Sequence, residues 1–359
     1  MKILIDIGHP AHVHLFKNFA IEMIGKGNDI LFTCREKEFE IALLEHYGFR
    51  YKSFGRKYKS LIGKALGMLE FGTKEWMVGR KFKPDVLLSH GSIYAAQASF
   101  FLGKPHIAFE DTFNFEQIYL YKPFTKYILT ADFLHPLVSD KVIRYPGYHE
   151  LAYLHPNRFT PDISVLSELG VEEGEKYVII RFVSRNASHD IGHKGISYEN
   201  KKNAIEKFSK YAKIFISSEG ELSEEFKQYQ LKIAPERLHH ALAFSSLVWG
   251  ESFTIPAEST VLGVPSIINH NNTAHHLKEL QEKYGLCFCF TESEEDQRNA
   301  ISKGVEILQQ TDIKNIWKVK RDEMLKDKID VTSFLVWFIE FFPESVNIIK
   351  SNPTWYNNF

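Results

Sequence analysis

The segment GESFTIPAESTVLGVP (residues 250–265) combines residue types that suit a ligand carrying both phosphate and sugar groups. It follows the apolar run SLVW, so a helix beginning at about Thr254 would start at the carboxyl end of a buried strand. Free backbone N–H groups and the helix dipole make such a start an anion site. Glu258 lies about one turn inside the helix, where its carboxylate can reach a sugar hydroxyl. A plain capped helix is the alternative. The residues expected to contact the ligand are Ser252, Phe253, Thr254, Ile255, Ala257 and Glu258.

A polar loop, SRNASHD (residues 184–190), follows the first strand of the second half of the chain. It supplies hydroxyl, guanidinium, amide and imidazole groups, and such donors stabilise the negative charge of phosphate oxygens. We therefore expect phosphate contacts here, and a solvated turn capped by Asn and Ser is the alternative. The predicted contacts are Ser184, Arg185, Asn186 and His189, with His276 as a further residue within reach of a phosphate.

Histidines and carboxylates follow strands of the first half. The loop IDIGHPAHVH (residues 5–14) holds His9 and His12, and an imidazole titrates near neutral pH, so either ring suits a general base. A structural or substrate-binding histidine is one alternative. A metal held by His12 and His14 is another, although two ligands without an acidic partner are a weak set. Glu110 and Asp111, after the strand PHIAF, suit either acid–base chemistry or a helix cap.

Strands and helices alternate along the chain, beginning with KILIDI and the helical stretch LFKNFAIEMIGKG. This alternation predicts parallel sheets with right-handed crossovers, and such sheets bind ligands at the carboxyl ends of their strands. The proline-containing stretch LAYLHPNRFTPD interrupts the pattern, which then restarts. The sequence therefore predicts an α/β protein of two Rossmann-type, doubly wound domains facing each other across a cleft. The expected domains are 1–155 and 156–325, followed by helices in 326–359.

The pattern A-E-x(4)-G-x-P at residues 257–265 resembles the nucleotide-sugar site of GT-B enzymes, especially the lipid II N-acetylglucosaminyltransferase and the UDP-GlcNAc 2-epimerases. The resemblance implies that Glu258 holds the ribose hydroxyls of UDP, that no metal or other cofactor is needed, and that helices 326–359 pack back on the first domain. A narrower resemblance covers residues 1–310. The stretches that carry it look like an uncharacterised microbial family of GT-B type: GYHELAYLHPNRFTPD, RFVSRNASHDIGHKG, FISSEG and GESFTIPAESTVLGVP.

Two departures from the GT-B pattern bear on activity. Ser252 and Phe253 replace the usual glycine pair before the helix, which makes the pyrophosphate loop bulkier. Ser92 and Ala108 stand where the similar 2-epimerases carry an aspartate and a glutamate. We therefore expect a glycosyltransferase that moves a sugar from a UDP-type donor to a hydroxyl of a polysaccharide or lipid-linked acceptor. The alternatives are an epimerase-like enzyme with relocated carboxylates and a non-catalytic nucleotide-sugar-binding protein.

Composition and charge limit which kinds of partner, nucleic acid or membrane, the protein can bind. The 359 residues include 44 Lys or Arg against 45 Asp or Glu, so a broadly basic surface for nucleic acid is excluded. Residues 50–83 nevertheless hold ten Lys or Arg, two Glu and interleaved apolar residues. This mixture favours contact with an anionic membrane surface, and an amphipathic helix with solvated lysines is the alternative. With three cysteines, no signal peptide and no spanning run, we expect a cytoplasmic protein, peripheral on the inner membrane face if that contact forms.

Overall fold

The computed structural model of the chain describes residues 1–56, 61–112, 114–133, 137–183, 195–272 and 274–359, with side chains undescribed at 61–66 and 353. Two compact units form. The first combines Met1–Tyr153 with Ile329–Phe359, and the second is Leu154–Lys328. Among the described helices, none is both long enough and apolar enough to cross a membrane.

The first unit contains a seven-stranded sheet. Its strands are β1 (Lys2–Ile7), β2 (Asp29–Glu36), β3 (Tyr51–Arg56), β4 (Val86–His90), β5 (His106–Phe109), β6 (Tyr127–Ala131) and β7 (Val142–Tyr145). They pair in parallel in the order β3-β2-β1-β4-β5-β6-β7. The intervening helices are α1 (Pro10–Gly25), α2 (Glu40–His46), α3 (Leu61–Phe82), α4 (Ile93–Leu102) and α5 (Phe115–Tyr121), and α6 (Leu151–Leu154) follows β7. Helices on both faces require apolar strands, and Ile3, Leu4 and Ile5 are fully buried.

The second unit contains a five-stranded sheet. Its strands are β8 (Tyr177–Phe182), β9 (Lys213–Ser218), β10 (Leu247–Gly250), β11 (Ser266–Asn269) and β12 (Cys287–Phe290). They pair in parallel in the order β12-β11-β10-β8-β9, so β10 is central. The helices are α7 (Val165–Leu169), α8 (Tyr198–Phe208), α9 (Leu238–Phe244), α10 (Thr254–Val261), α11 (His275–Glu282), α12 (Glu294–Gln309) and α13 (Ile313–Asp327). The predicted α/β class with two doubly wound parallel sheets is confirmed.

The C-terminal segment belongs to the first unit. It consists of α14 (Val331–Glu340), α15 (Glu344–Ser351) and a 3₁₀ turn at Pro353–Asn358. The Thr332 hydroxyl donates to the carbonyl of Ala152 at 2.6 Å, and Lys26 Nζ lies 2.7 Å from Glu340 Oε2. The apolar α14 therefore has its buried face against the first sheet unit, with Phe334 and Phe338 fully buried.

Several helices begin directly after a strand, and their first turns use polar side chains as caps. The His9 imidazole accepts from the Ala11 N–H before α1, the Ser92 hydroxyl accepts from Ala95 before α4, and Asn114 accepts from Gln117 before α5. Such caps satisfy the orphan N–H groups of a helix start. They also hold polar residues at the carboxyl edge of the sheet, where the candidate site lies.

Candidate functional site

The start of α10 lies at the carboxyl end of the central strand β10. Only three residues separate them, and a Cβ atom on Gly250 would come within 2.8 Å of Arg181 on β8, so glycine permits this close strand pairing. Phe253 precedes the helix, and its ring centroid lies 4.5 Å from that of His270. The hydroxyl of Ser252 is buried and has no hydrogen-bond partner in the described part of the chain. Ser252 and Phe253 therefore pack beside the start of α10.

The first turn of α10 offers fewer backbone donors than its length suggests. Pro256 has no N–H group, and the Ala257 N–H donates to the Phe253 carbonyl at 3.0 Å. Thr254 and Ile255 are left as the residues whose N–H groups have no acceptor within the helix. An anion at this helix start would therefore meet these two N–H groups rather than that of Ala257.

Glu258 is buried one turn into α10. Its side chain is 4% exposed, and its Oε1 lies 3.1 Å from Nε2 of His239 on α9, whose side chain is 7% exposed. Burial of a carboxylate is costly unless hydrogen bonds compensate it, and His239 supplies one partner. Sequence analysis singled out Glu258 but missed His239, since nothing in the local pattern of α9 distinguishes a buried partner from a surface histidine.

Glu251 is a second buried carboxylate that sequence analysis missed. It follows β10 directly, and it accepts from the N–H groups of Val183 at 3.2 Å and Ile196 at 2.6 Å. It therefore binds residues on both sides of the undescribed segment SRNASHDIGHK. An acidic residue placed directly after an apolar strand was the available signal. The predicted phosphate contacts in that loop, Ser184, Arg185, Asn186 and His189, lie outside the described residues. His276 is buried near the start of α11, which follows β11.

At the edge of the first sheet, His12 and His9 lie in the first turn and at the cap of α1. His12 Nδ1 accepts from the Gly8 N–H at 3.2 Å, and His9 Nδ1 accepts from the Ala11 N–H at the same distance. A ring nitrogen that accepts carries no proton, so each neutral ring keeps its proton on Nε2. The His12 ring stacks on His90, with centroids 4.5 Å apart. In the neutral form, Nε2 of either ring thus carries the proton and is the donor atom.

Three strand ends bring His90, Asp111 and His149 together. His90 Nε2 lies 2.8 Å from Asp111 Oδ1, and His149 Nδ1 lies 2.9 Å from Asp111 Oδ2. Burial alone would raise the pKa of Asp111, but the two imidazoles hold it well below its usual range. Burial alone would lower the pKa of His90, but the charge of Asp111 raises it instead. Asp111 is thus an ionised carboxylate between two imidazoles.

Sequence analysis had identified Asp111 but neither of its partners. His90 ends β4 and His149 follows β7 by four residues, so position at a strand end was the available signal. The adjacent Glu110 is engaged differently: it accepts from the Thr112 N–H at 2.9 Å and from the Tyr121 hydroxyl at 2.6 Å. Glu110 is thus held by Thr112 and Tyr121, while the start of α5 is capped by Asn114.

A buried charge network supports the same sheet edge. Asp6 on β1 forms an ion pair with Arg35 on β2 and accepts from the hydroxyl of Ser92. The Thr33 hydroxyl lies 3.0 Å from Asp6 Oδ1 and 3.0 Å from Glu75 Oε1. Burial and the nearby charge of Asp6 raise the pKa of Glu75 well above its ordinary value. The protonated form of Glu75 is therefore favoured in the folded protein relative to an exposed carboxyl.

His106 on β5 makes folding sensitive to acid. Its Nε2 bonds the Ser89 hydroxyl at 2.8 Å, its Nδ1 bonds the Thr125 hydroxyl at 2.9 Å, and burial lowers its pKa from 6.5 to about 3. The fold holds the ring neutral, so unfolding takes up a proton below pH 6.5. Stability should therefore fall as pH falls from 6.5 to 3, by up to about 1.4 kcal/mol per pH unit from this residue.

The check is urea unfolding at a series of pH values. His106→Gln should flatten the dependence in that pH window, while His46→Gln, at an exposed histidine, should leave it unchanged. An unchanged slope in the His106→Gln variant would show that this ring is protonated in the folded state.

The basic segment 50–83 stays a prediction for membrane contact. Three of the basic residues behind that prediction are not described: Lys57 and Lys59 lie outside the described residues, and the side chain of Lys64 is undescribed. Further along α3, Leu69 is 73% exposed and Met77 is 60% exposed. The described part of the helix thus presents apolar side chains to solvent, in addition to its buried stripe.

The chain is similar in structure to UDP-GlcNAc 2-epimerases and to glycosyltransferases. The UDP-GlcNAc 2-epimerase from Neisseria meningitidis, bound to UDP-GlcNAc, superposes with a TM-score of 0.60 at 15% identity, covering 91% of this chain and 100% of that one. The UDP-GlcNAc 2-epimerase from Methanocaldococcus jannaschii superposes with a TM-score of 0.62 at 14% identity, covering 87% of this chain and 94% of that one. The glycosyltransferase SsfS6 from Streptomyces sp. SF2575 superposes with a TM-score of 0.59 at 11% identity, covering 95% of this chain and 99% of that one. No curated protein sequence gives a significant match.

These likenesses and the two parallel sheets define the fold as GT-B. Residues 1–280 match the family described as protein of unknown function (DUF354), and the chain belongs to that family. The predicted membership of an uncharacterised GT-B-type family is therefore confirmed.

Proposed function

We propose that this protein is a glycosyltransferase that moves a sugar from a UDP-type nucleotide donor to a hydroxyl of a polysaccharide or lipid-linked acceptor. The observation that carries the proposal is Glu258, a buried carboxylate one turn into the helix that follows the central strand of the second sheet. A carboxylate there can accept two hydrogen bonds from neighbouring ribose hydroxyls, while the helix start accommodates the diphosphate.

We assign donor binding to the second unit. Glu258 binds the ribose, and the N–H groups of Thr254 and Ile255 bind phosphate oxygens. The buried hydroxyl of Ser252 has no partner among the described residues, and we assign it as a donor to the same ligand. Arg185, which lies outside the described residues, is the cation proposed to neutralise the departing diphosphate.

We assign activation of the acceptor hydroxyl to the carboxyl edge of the first sheet. Asp111 is ionised there and accepts from His90 and His149. The tautomer of His12 supports a second role: its Nε2–H donates to a negatively charged oxygen, rather than removing a proton. If the acceptor oxygen attacks the anomeric carbon directly as the bond to the diphosphate breaks, with the hydroxyl proton passing to the Asp111 carboxylate, the anomeric configuration inverts.

An epimerase remains the second candidate because two of the similar structures are UDP-GlcNAc 2-epimerases. The contacts of Ser92 and Ala108 favour the transferase. Ser92 caps α4 and donates to Asp6, and Ala108 is a fully buried residue of β5. Neither can remove or deliver a proton at a sugar carbon, so an epimerase would need its acid and base elsewhere.

Product analysis distinguishes the two activities. We expect UDP release from a UDP-sugar only when a lipid-linked or polysaccharide acceptor fraction is present, with the sugar recovered on the acceptor. Asp111→Asn should lower turnover by roughly 100-fold or more while nucleotide binding persists. Free ManNAc and UDP formed from UDP-GlcNAc alone would favour the epimerase. Binding of nucleotide without turnover of any donor–acceptor pair would favour a binding protein.

A further inference from the structure

The cluster His90, Asp111 and His149 has the composition and spacing of a metal site. One ligating atom from each residue can be chosen so that all of these atoms lie within 4.8 Å of one another. We propose that these three side chains bind one divalent transition-metal ion of the zinc class. The sequence had suggested no such site, because the three residues are 21 and 38 positions apart.

The ligand types match this class of ion. Two imidazole nitrogens and one carboxylate oxygen are a set that holds Zn²⁺ in catalytic sites, with further positions left to water or substrate. At metal–ligand distances of about 2.0–2.1 Å, neighbouring ligand atoms lie roughly 2.9–3.4 Å apart. The two nitrogens lie 2.8 Å and 2.9 Å from different oxygens of Asp111, and one ligating atom from each residue lies within 4.8 Å of the others, so the imidazoles would move inward to share one ion. The ion would replace the hydrogen bonds to Asp111, and the two ring nitrogens would release their protons on binding it.

The ligands are held on rigid supports. His90 terminates β4 and stacks against His12, and the His149 ring packs at 5.6 Å from Phe109 and 6.4 Å from Tyr145. Packing that fixes ring orientation before the ion arrives lowers the entropic cost of binding. The Asp111 side chain is 25% exposed, so the cluster is open to solvent on one side. An open position of this kind suits an oxygen ligand.

We infer that the oxygen ligand is the acceptor hydroxyl. The identity of this ligand rests on the proposed function. A divalent ion lowers the pKa of an oxygen bound to it and fixes that oxygen in place. The ion would thereby serve the activation that we assign to this sheet edge. Metal binding by the three side chains does not depend on the identity of the substrate and can be tested without one.

The test uses the full chain with any affinity tag removed, stripped with chelator and then titrated with Zn²⁺ or Co²⁺. We expect one ion per chain by elemental analysis and calorimetry, and visible absorption from bound Co²⁺. Asp111→Asn and His149→Gln should each weaken binding by about 100-fold or more. His46→Gln, which removes an exposed histidine outside the cluster, should leave binding unchanged.

Two results would overturn the proposal. Failure of the folded parent protein to bind either ion stoichiometrically would leave a metal-free His–Asp–His cluster. Equal binding in the parent and in both cluster variants, with circular dichroism showing all of them folded, would put the ion elsewhere. Neither result involves nucleotide, so a failure here is distinguishable from a failure of the glycosyltransferase proposal, which is read from donor binding and product analysis.

Discussion

Replacing Glu258 by Gln is expected to weaken the binding of a nucleoside diphosphate by roughly 10- to 100-fold. A hydrogen bond to a charged group contributes about 1.5–3 kcal/mol, and the amide keeps the size of the side chain but loses the charge. It also presents an N–H₂ group where a carboxylate accepts. His239→Gln should cause a smaller loss, because His239 contacts Glu258 Oε1 and acts on the ligand only by positioning that carboxylate.

The measurement is a thermal shift with UDP, GDP, TDP, CMP and ADP, followed by calorimetry with the nucleotide that shifts the parent. Ligand at about 100 times its dissociation constant stabilises the fold by roughly 2.7 kcal/mol. Glu306→Gln, at an exposed position on α12, is the matched control and should bind like the parent. Equal affinity in Glu258→Gln would remove this residue from the ribose site. If no nucleotide shifts the melting temperature of the parent protein, the proposed donor site is contradicted.

The second large effect concerns the buried network under the first sheet edge. Asp6→Asn is expected to lower the free energy of unfolding by about 3–5 kcal/mol, since it leaves the Arg35 guanidinium buried without its partner. Arg35 and Asp6 are 3% and 1% exposed. Urea unfolding followed by circular dichroism at pH 7 is the measurement.

Glu75→Gln is the matched control within the same network. Burial and the charge of Asp6 raise the pKa of Glu75 and so favour its neutral form, and we expect a neutral amide of equal size to cost only about 1 kcal/mol. In the Asp6→Asn protein, Glu75 can ionise and partly compensate Arg35, so the double variant should lose more than the sum of the single variants. A Glu75→Gln loss as large as that of Asp6→Asn would instead mean that Glu75 is ionised beside Arg35.

The position of Glu258 was predictable because its signals are local. An apolar run, a short turn and a helical stretch closed by Gly263 and Pro265 are adjacent in sequence, and strand-to-helix order in a parallel sheet puts that helix start at a ligand-binding edge. The partner His239 was not predictable, because α9 reaches Glu258 only through the packing of two helices on one sheet.

The cluster of His90, Asp111 and His149 shows what the sequence could not predict. Sequence alternation predicted that His12, Asp111 and their neighbours would follow strands, and the structure agrees. Which strand ends are neighbours depends on the order β3-β2-β1-β4-β5-β6-β7, and that order is decided by non-local packing. The hydrogen bonds from Gly8 and Ala11 that set the tautomers of His12 and His9 likewise exist only once α1 has formed.

The sequence by itself thus determined the α/β class, the family resemblance and the helix start that carries Glu258, since hydrophobic periodicity and contiguous motifs report on neighbouring residues. The tertiary structure alone decided the meeting of His90, Asp111 and His149, the hydrogen bond of Glu110 to Tyr121 on α5 and the burial of the Asp6–Arg35 pair. Each of these joins residues from separate strands or helices, and their distances depend on strand order and helix packing, which no local pattern records.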